Sequence, residues 1–444
     1  MTDRDASPSD PEKSPKTIHA PGRFGRFLPR IVRGSVRGSG SRWRRTLYGV
    51  WAAQLLVISG FSMRAPILPG FFAELGVVTP EGQAYWTGLM LSLGAGMMAF
   101  TSPIWGAVAD KYGRKPMLVR AQFAAFLTIS LSAFVYEPWQ LLGLRLIEGA
   151  MTGTVAAATA LIAVSMPRDR MGYGLGMVQT AVFSGSALGP LFGGVIADFI
   201  GYRSTFLVSG FMALAAGVIT LFVVQENFVK SEKGEEAKVD NGSTWKIILG
   251  PTMLALTMSM LLVRFASSAV QPITPIFVGM IAEVGSNVNT LAGLTIGILG
   301  VTSAISSIYL GKLGDKRGHF KILLWSGVGA GLVYLPMALA QHPWHLIVLQ
   351  AIFGFFAGGL IPAANALIAR VTDDSKRGVV FGLMNTAGSI GGFAGPLMGA
   401  GLAGIFGIRA TFVLTGLVLL LMALNLWISN KRHPMESVPE PRDV

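Results

Sequence analysis

The sequence predicts an all-α membrane protein in which twelve transmembrane helices form two pseudo-symmetric six-helix bundles. The 444 residues are 52% hydrophobic and only 13% charged, which is about half the charged fraction of a typical soluble domain. The chain contains about a dozen apolar stretches of roughly 20 residues or more, the length that crosses a bilayer. A short charged loop also occurs twice, which indicates that the two halves are duplicates.

The apolar stretches, called spans 1 to 12, cover approximately residues 47–72, 84–109, 117–135, 139–164, 173–199, 203–225, 247–279, 290–313, 319–340, 344–370, 378–405 and 409–429. The 56 glycines suit membrane helices, whose backbones approach closely where side chains are small. The sequence has no cysteine, which excludes disulfides and thiolate metal sites. We expect neither a metal nor a cofactor.

The charges of the loops predict that both termini are cytoplasmic. Residues 1–45 carry eleven Lys or Arg against four acidic residues, and the loops that follow even-numbered spans are basic as well. The opposite loops contain Glu74, Glu81, Glu137 and Glu283. Under the positive-inside rule the basic loops face the cytoplasm. The net charge of +13 therefore reflects orientation, and nucleic acid is not an expected partner.

The duplication extends beyond the charged loop. "GAVADKYGRKPML" (106–118) returns as "GKLGDKRGHFKIL" (311–323), and "GPLFGGVIADFIGYRSTF" (189–206) returns as "GPLMGAGLAGIFGIRATF" (395–412). Because six spans per half is an even number, both halves have the same orientation in the membrane. Two parallel halves with a central site between them are one architecture of membrane transporters.

These boundaries predict five segments. They are a basic cytoplasmic tail (1–45), an amino-terminal bundle (46–226), a cytoplasmic linker (227–246), a carboxy-terminal bundle (247–430) and a cytoplasmic tail (431–444). Arginines recur every three or four residues from Arg23 to Arg37. The first tail therefore either lies on anionic lipid headgroups as a short helix or is disordered.

The chain resembles the major facilitator superfamily over about residues 46–430. The loop between spans 2 and 3 fits that family's pattern G-x-x-x-D-x-x-G-R-K at Gly106, Asp110, Gly113, Arg114 and Lys115. The family's span 4 pattern, an Arg followed by Gly, is matched by Arg145 and Gly149. Span 5 fits the pattern G-x-x-x-G-P-x-x-G-G of the twelve-span drug:proton antiporters at Gly185, Gly189, Pro190, Gly193 and Gly194.

The resemblance implies the major facilitator fold, a monomer, and a multi-pass location in a bacterial inner membrane. It also implies a small-molecule substrate, with protons and membrane lipids as the other partners. The span 5 pattern is typical of exporters, so the resemblance favours proton-coupled efflux of hydrophobic drugs or related molecules.

In the family the charged loops act as a conformational latch. The resemblance places Asp110 at the positive amino end of span 11, with Arg114 as a cross-linking cation, in the state closed to the cytoplasm. The second copy keeps Asp315 and Arg317 but lacks the last two basic residues of the first. The first latch should therefore matter more. Alternatively, these charges only fix the orientation of the chain.

The glycines of span 5 are four residues apart at Gly185, Gly189 and Gly193, which places them on one helix face. Another helix can approach this face closely, and Pro190 bends the span because it removes a backbone donor. The resemblance places the face between the two halves. The alternative is small-residue packing within one half.

Four charged residues are expected inside the hydrocarbon, where an isolated charge costs at least ~2.5–3.5 kcal/mol. Arg145 and Glu148 are three residues apart and therefore neighbours on span 4. Glu148 is the predicted proton-coupling carboxylate, with Arg145 beside it; the alternative is a static ion pair. Arg64 and Arg264, on spans 1 and 7, either clamp an anion or bind backbone carbonyls.

The predicted substrate cavity combines those two arginines with polar amides and adaptable apolar side chains. Its other members are Gln54, Gln179, Asn365, Asn385, Met63, Phe61 and Phe353.

Three functions remain open at this point. The first is proton-coupled efflux of hydrophobic molecules, and the second is a facilitator or exchanger of an anionic metabolite, which the excess of embedded arginine favours. The third is a non-transporting membrane sensor. We do not expect an enzyme, because the sequence contains no phosphate-binding loop and no grouping of nucleophile, base and acid.

Overall fold

The computed structural model describes residues 39–167, 170–226, 250–372 and 377–432, and only the backbone of residues 39–42, 377 and 378. The predicted linker 227–246, the first tail up to residue 38 and the last residues from 433 onward lie outside the described residues. Within the described ranges, all regular secondary structure is helical, in agreement with the predicted fold class.

Fifteen α-helices follow one another along the described chain. They are α1 Ser39–Met63, α2 Leu68–Glu74, α3 Pro80–Tyr112, α4 Arg114–Ser132, α5 Pro138–Met151, α6 Thr154–Ser165, α7 Met171–Ile200, α8 Tyr202–Val223, α9 Pro251–Ala269, α10 Thr274–Ile281, α11 Val288–Arg317, α12 His319–Met337, α13 Pro343–Val371, α14 Arg377–Phe406 and α15 Ile408–Arg432.

Eleven helical segments of the described chain are long and apolar enough to cross a membrane. In three of the predicted spans the helix is broken, so that α1 and α2, α5 and α6, and α9 and α10 each correspond to one span. The helix at the position of span 3 is α4, which is not among the eleven because Arg114, Lys115 and Arg120 lower its hydropathy. The number twelve therefore stays a prediction.

Proline and glycine account for the breaks. Pro66 lies between α1 and α2, and Pro272 lies between α9 and α10, since a proline has no amide hydrogen to continue the helix. The break between α5 and α6 contains Gly153 with φ +127°, a conformation that other residues rarely adopt.

The tight turns between long helices also repeat. Gly113 is the single residue between α3 and α4, and Gly318 is its equivalent between α11 and α12. Both have positive φ values, +100° and +94°. The predicted short turn is confirmed at these two glycines, whereas Gly106 lies inside α3.

The cores of the two halves contain the same aromatic contacts. Phe71 packs on Phe206 with a ring-centroid distance of 4.8 Å, and 206 residues later Phe277 packs on Phe412 at 5.2 Å. Arg203 lies over the first pair at 5.7 Å from the Phe71 ring. Its equivalent, Arg409, lies 5.1 Å from the Phe277 ring. The duplication seen in the sequence is therefore a duplication of packing.

The two halves meet along two pairs of helices. One pair is α7 of the first half with α11 of the second, and the other is α3 with α14. All four helices run between the same two ends of the bundle. We call them the Asp198 end, where α7 finishes, and the Asp110 end, where α3 finishes.

Candidate functional site

A buried cluster of three charged residues lies in the first half. Glu148 on α5 is 2% exposed, and Arg64, just after α1, is 4% exposed. The Nη1 and Nη2 atoms of Arg64 donate to the two carboxylate oxygens of Glu148, each at 2.8 Å. Arg145 Nη1 donates to Oε1 of the same carboxylate. This is a two-pronged arginine–carboxylate pair, the strongest geometry available to these groups, with a second arginine added.

The predicted contact between Arg145 and Glu148 is therefore present, and Arg64 joins it from 84 residues away. Arg64 is positioned by the break that follows α1, where the chain turns at Ala65 and Pro66 before α2 begins. With two guanidinium groups and one carboxylate, the cluster has a formal charge of +1. Arg64 was expected to act together with Arg264, but in the structure it pairs with Glu148.

Glycines bring α3 against α5 at this cluster. Gly94 on α3 packs against the Arg145 side chain, where a Cβ would lie 2.5 Å from its Nε. One turn further on α5, a Cβ on Gly149 would lie 2.5 Å from the Gly94 carbonyl oxygen. Any side chain at either glycine would displace the cluster.

The break between α5 and α6 lies one turn beyond Glu148. Side chains of two other helices bind backbone carbonyls on either side of the break. Trp105 Nε1 donates to the Ala150 oxygen, in the last turn of α5, at 2.7 Å, and Gln54 Nε2 donates to the Thr154 oxygen, at the first residue of α6, at 2.8 Å. Since a carbonyl at the end of a helix that lacks a partner is costly in a membrane, the hydrogen bond from Trp105 stabilises the end of α5 at the break. The two parts of span 4 can therefore differ in orientation.

Several predicted cavity residues are enclosed in this conformation. Gln54 is 0% exposed, Met63 is 1% exposed and Phe353 is 2% exposed, so none of them lines an open cavity here. Phe61 is partly buried and lies 5.5 Å below the Arg64 guanidinium. The roles of these four residues in substrate binding stay predictions, and the three buried ones could contact a substrate only in a different conformation.

Other predicted cavity residues are accessible. Gln179 and Asn385 are exposed, and Asn365 is partly exposed. Arg264 on α9 is also exposed, and its side chain makes no ion pair and no hydrogen bond with any described residue. Its stem rests on α14, where a Cβ on Gly388 would lie 3.3 Å from Arg264 Cγ.

The two halves are closed against each other at the Asp198 end. The Asp198 carboxylate accepts hydrogen bonds from the amides of Asn289 and Thr290 at 3.3 and 2.7 Å. It also accepts from Asn289 Nδ2 at 2.8 Å and from Thr290 Oγ1 at 2.7 Å. These donors form the first turn of α11, so a carboxylate of the first half caps a helix of the second.

Small residues complete this closure. Gly194 lies directly against the Asn289 backbone, and Gly293 lies against the Pro190 backbone, with no space for a side chain at either glycine. On the other pair of helices, Ser92 Oγ on α3 accepts a hydrogen bond from the Leu397 amide on α14 at 3.1 Å. The Asp198 end is therefore sealed along both pairs of helices.

The glycine face of span 5 is divided between two partners. Gly185, Gly189 and Gly193 pack on α1 of their own half, so their predicted position between the halves is wrong for this conformation. The helix presents a different side, with Pro190 and Gly194, to the second half. The physical reason is the helical repeat: residues four apart share a face, and the next residue points about 100° away.

The contacts between the same four helices do not continue to the Asp110 end. On that side the last glycine contacts between the halves join Gly96 to Phe393 and Gly300 to Ala187. Beyond them a Cβ would have no heavy atom of the described chain within 4 Å at Gly106, Gly172, Gly176, Gly311 and Gly382. Asp110 is 71% exposed in its side chain and lies 3.8 Å from Arg114 Nη2. No hydrogen bond or ion pair joins it to the described part of α14, so the predicted latch contact is not made in this conformation.

A different carboxylate binds the amino end of α4. Glu226, after α8, accepts hydrogen bonds from the amides of Arg114 and Lys115, both at 2.8 Å. Lys115 Nζ in turn donates to the Leu221 oxygen at 2.9 Å. In the second copy of the loop, Asp315 binds His319 at 3.2 Å. The first loop is thus fixed to its own half by Glu226, a residue that no sequence pattern indicated.

Comparison with known proteins agrees with this architecture. The family model of the Major Facilitator Superfamily matches residues 50–345 and 273–443. The chain belongs to the major facilitator superfamily. It is therefore a multi-pass membrane transporter of small molecules, with a substrate site expected between the two halves.

Two relatives of this superfamily member are named for drug efflux. A multi-drug resistance efflux pump PmrA homolog of Lactococcus lactis subsp. lactis (strain IL1403) is 33% identical over 395 residues, which cover 88% of this chain and 96% of the relative. The multidrug resistance protein MdtG of Salmonella schwarzengrund (strain CVM19633) is 34% identical over 392 residues, which cover 88% and 96% of the two chains.

A solved structure shares the fold. It is a bacterial homolog of the human lysosomal transporter Spinster in an inward-facing and unoccupied conformation, with a TM-score of 0.72 and 16% identity. The match covers 89% of this chain and 98% of the other. At this identity the likeness concerns the fold alone.

Proposed function

We propose that this transporter exports small hydrophobic molecules from the cytoplasm in exchange for protons, by alternating access to a site between its two halves. Relatives named as efflux and multidrug resistance proteins support export. The single observation that carries the proposal is the asymmetric closure of α3, α7, α11 and α14. These four helices are sealed at one end and apart at the other.

The positive-inside rule assigns the two ends to the two sides of the membrane. The loops of the Asp110 end contain the basic residues and therefore face the cytoplasm. The described conformation is then open to the cytoplasm and closed to the outside, which is the state in which an exporter takes up its substrate. The complementary state would close the Asp110 end through the charged loops and open the Asp198 end.

Glu148 is the proposed proton carrier. Its carboxylate holds Arg64 after α1 and Arg145 on α5, so the ionised form joins the two helices. A bound proton would leave two neighbouring arginines without a counter-ion in a buried site, which is strongly unfavourable. The protonated and ionised forms therefore favour different packings of α1 on α5. The break after Met151 lets α6 follow such a change.

The proposal includes α4 as the twelfth span in a bacterial inner membrane, with a monomer as the functional unit. Arg114 and Lys115 lie at its amino end, where long basic side chains reach the headgroups. Arg120 lies deeper, and its guanidinium stacks on the Trp105 ring at 3.2 Å from the centroid. This cation–π contact offsets part of the cost of placing a charge there.

The test uses proteoliposomes with an acidic interior and an enclosed pH-sensitive dye. N-phenyl-1-naphthylamine, a neutral hydrophobic probe, is added outside. A proton-coupled exporter exchanges it for internal protons and discharges the pH difference. Compared at equal amounts of incorporated protein, Glu148→Gln should discharge the gradient at least tenfold more slowly.

The matched control is Glu74→Gln, which makes the same chemical change in a carboxylate that pairs with Arg203 at the Asp198 end. It should discharge the gradient at the wild-type rate. A wild-type rate for Glu148→Gln would remove Glu148 from the coupling. No probe-dependent discharge by the wild type would count against proton-coupled export of neutral hydrophobic molecules.

A further inference from the structure

We propose that Arg264 is the anchor for an anionic head group, so that amphiphilic organic anions are substrates of this transporter. The class comprises molecules with one sulfonate, phosphonate or carboxylate group on a hydrophobic body. This inference rests on the proposed function and specifies the chemistry of the same central site. It depends on the position of Arg264, on its lack of a partner and on its surroundings.

Arg264 lies near the middle of the membrane. It is thirteen residues after the start of α9 at Pro251 and seventeen before the end of α10 at Ile281. At about 1.5 Å per residue, each distance is of the order of 20–25 Å along the chain. An arginine at this depth faces either another charged group or water.

Arg64 and Arg145, which are also embedded, differ from Arg264 in their partners. Arg64 and Arg145 share the Glu148 carboxylate. Arg264 has neither a carboxylate nor a carbonyl partner among the residues that the structure describes, although its side chain is exposed. An accessible guanidinium has five donors in a planar fork, which matches an oxyanion in two-pronged geometry.

The neighbours of Arg264 give its depth relative to the contact between the halves. α14 touches α3 at Phe393, which packs on Gly96, and at Leu397 beyond it. Gly388, on which the Arg264 stem rests, lies more than one turn nearer the Asp110 end. Because an exposed arginine without a charged partner at mid-membrane depth faces water, we place its guanidinium in the open gap, next to the closed contact.

Polar and apolar groups for the rest of a ligand are close by. Asn385 is exposed and three residues from Gly388, so the two share one side of α14. Phe393 is 39% exposed at the closed contact and offers an aromatic surface. A ligand with its charge at Arg264 and its hydrophobic body against Phe393 would use both.

The charges of the embedded residues favour an anion over a cation. The cluster around Glu148 has a formal charge of +1, and Arg264 adds another. With no other carboxylate described at this depth, a cation in the gap meets net repulsion. A monoanion reduces the net charge and gains charge-assisted hydrogen bonds.

Two probes with the same aromatic body test this inference. 8-Anilinonaphthalene-1-sulfonate carries a sulfonate, and N-phenyl-1-naphthylamine is the same molecule without it. Equilibrium dialysis measures binding of each probe to the full chain in lipid nanodiscs, with empty nanodiscs subtracted. The gradient discharge in proteoliposomes measures transport of each probe.

Arg264→Gln should weaken binding of the sulfonate at least tenfold and slow its transport to the same degree, while the neutral probe is bound and transported as before. Arg264→Lys keeps the charge and should lose less than Arg264→Gln. Arg432→Gln, which removes an exposed charge at the end of α15, should leave both probes unchanged.

Unchanged sulfonate binding in Arg264→Gln would overturn the inference. So would an equal loss for both probes, because Arg264 would then serve the fold or the transport cycle. Failure of the proposed function is distinguishable: the wild type would discharge no gradient with either probe, while the difference in sulfonate binding between the wild type and Arg264→Gln would still decide the role of Arg264.

Discussion

Asp198 of the first half caps the amino end of α11 in the second half through Thr290, whose amide and hydroxyl both donate to the carboxylate at 2.7 Å. A carboxylate at this position is stabilised by the free amides and by the helix dipole. Because the two residues belong to different halves, the contact exists only while the Asp198 end is closed. It therefore stabilises the described conformation relative to one that opens at that end.

We expect Asp198→Asn to shift the transporter towards the conformation open at the Asp198 end. A hydrogen bond to a charged group contributes about 1.5–3 kcal/mol, which corresponds to a population change of about tenfold or more. Ser92→Cys provides the reporter, since Ser92 is 0% exposed between α3 and α14 and the chain has no cysteine of its own. An impermeant maleimide added outside should label this cysteine about tenfold faster when Asp198→Asn is present.

Glu74→Gln is the matched control for that experiment. Glu74 is a carboxylate at the same end, but its partner Arg203 belongs to the same half. Its loss should leave the labelling rate unchanged. Equal labelling in Asp198→Asn and in the control would show that the cap on α11 does not hold the two halves together.

Asp110→Asn should change the same labelling rate in the opposite direction. Asp110 makes no contact with the described residues of α14 here, so its loss costs the described conformation little. The conformation closed at the Asp110 end would lose a charged group facing a helix amino end, a contribution of about 0.3–1 kcal/mol or more. Labelling of the Ser92→Cys reporter should therefore become two- to fivefold slower, and faster labelling would contradict the latch.

Periodic and repeated features of the sequence predicted the fold well. Apolar stretches of membrane length and a duplication at an offset of 205–206 residues were sufficient for two similar halves, and the equivalent contacts of Phe71 with Phe206 and Phe277 with Phe412 follow from that duplication. The pairing of Arg145 with Glu148 was predictable because three residues is close to one helical turn.

Contacts between distant segments were not predictable in the same way. Arg64 reaches Glu148 across 84 residues because α1 ends there, and the length of a helix before a break is not fixed by hydropathy. Asp198 was not predicted because it lies within an apolar run. The repeat nevertheless indicated that it is special: the equivalent residue in the second half is Gly404, so the duplicated fold itself does not require a carboxylate there. The enclosure of Met63 and Phe353 was missed because composition does not determine which helix face meets another helix.

Removal of Glu148 should destabilise the protein, and a second substitution should partly restore its stability. Breaking a buried ion pair by removing one partner costs about 3–5 kcal/mol, so Glu148→Gln, which leaves Arg64 and Arg145 without their shared carboxylate, should lower the apparent melting temperature in detergent by several degrees. In Arg64→Gln/Glu148→Gln only Arg145 is left without a counter-ion, and the loss should be smaller than in Glu148→Gln alone. Arg264→Gln should not lower the melting temperature, because this arginine has no described partner. A double variant as unstable as the sum of the two single variants would contradict the interaction.

Gly153→Ala tests whether the break in span 4 takes part in transport. Gly153 has φ +127° and open space around the position of a Cβ, so alanine is disfavoured by backbone conformation alone, by about 1–3 kcal/mol. The alternative available to the chain is a continuous helix, as in α13, where the equivalent Gly358 lies inside the helix. A continuous span 4 would fix α6 to the orientation of α5 and uncouple it from Glu148, so probe-dependent discharge of the pH gradient should fall at least fivefold.

Gly143→Ala is the control, because Gly143 also has open space for a Cβ but lies inside α5 without a positive φ. This variant should transport at the wild-type rate. Equal rates in the two variants would show that the break is a static feature of the fold.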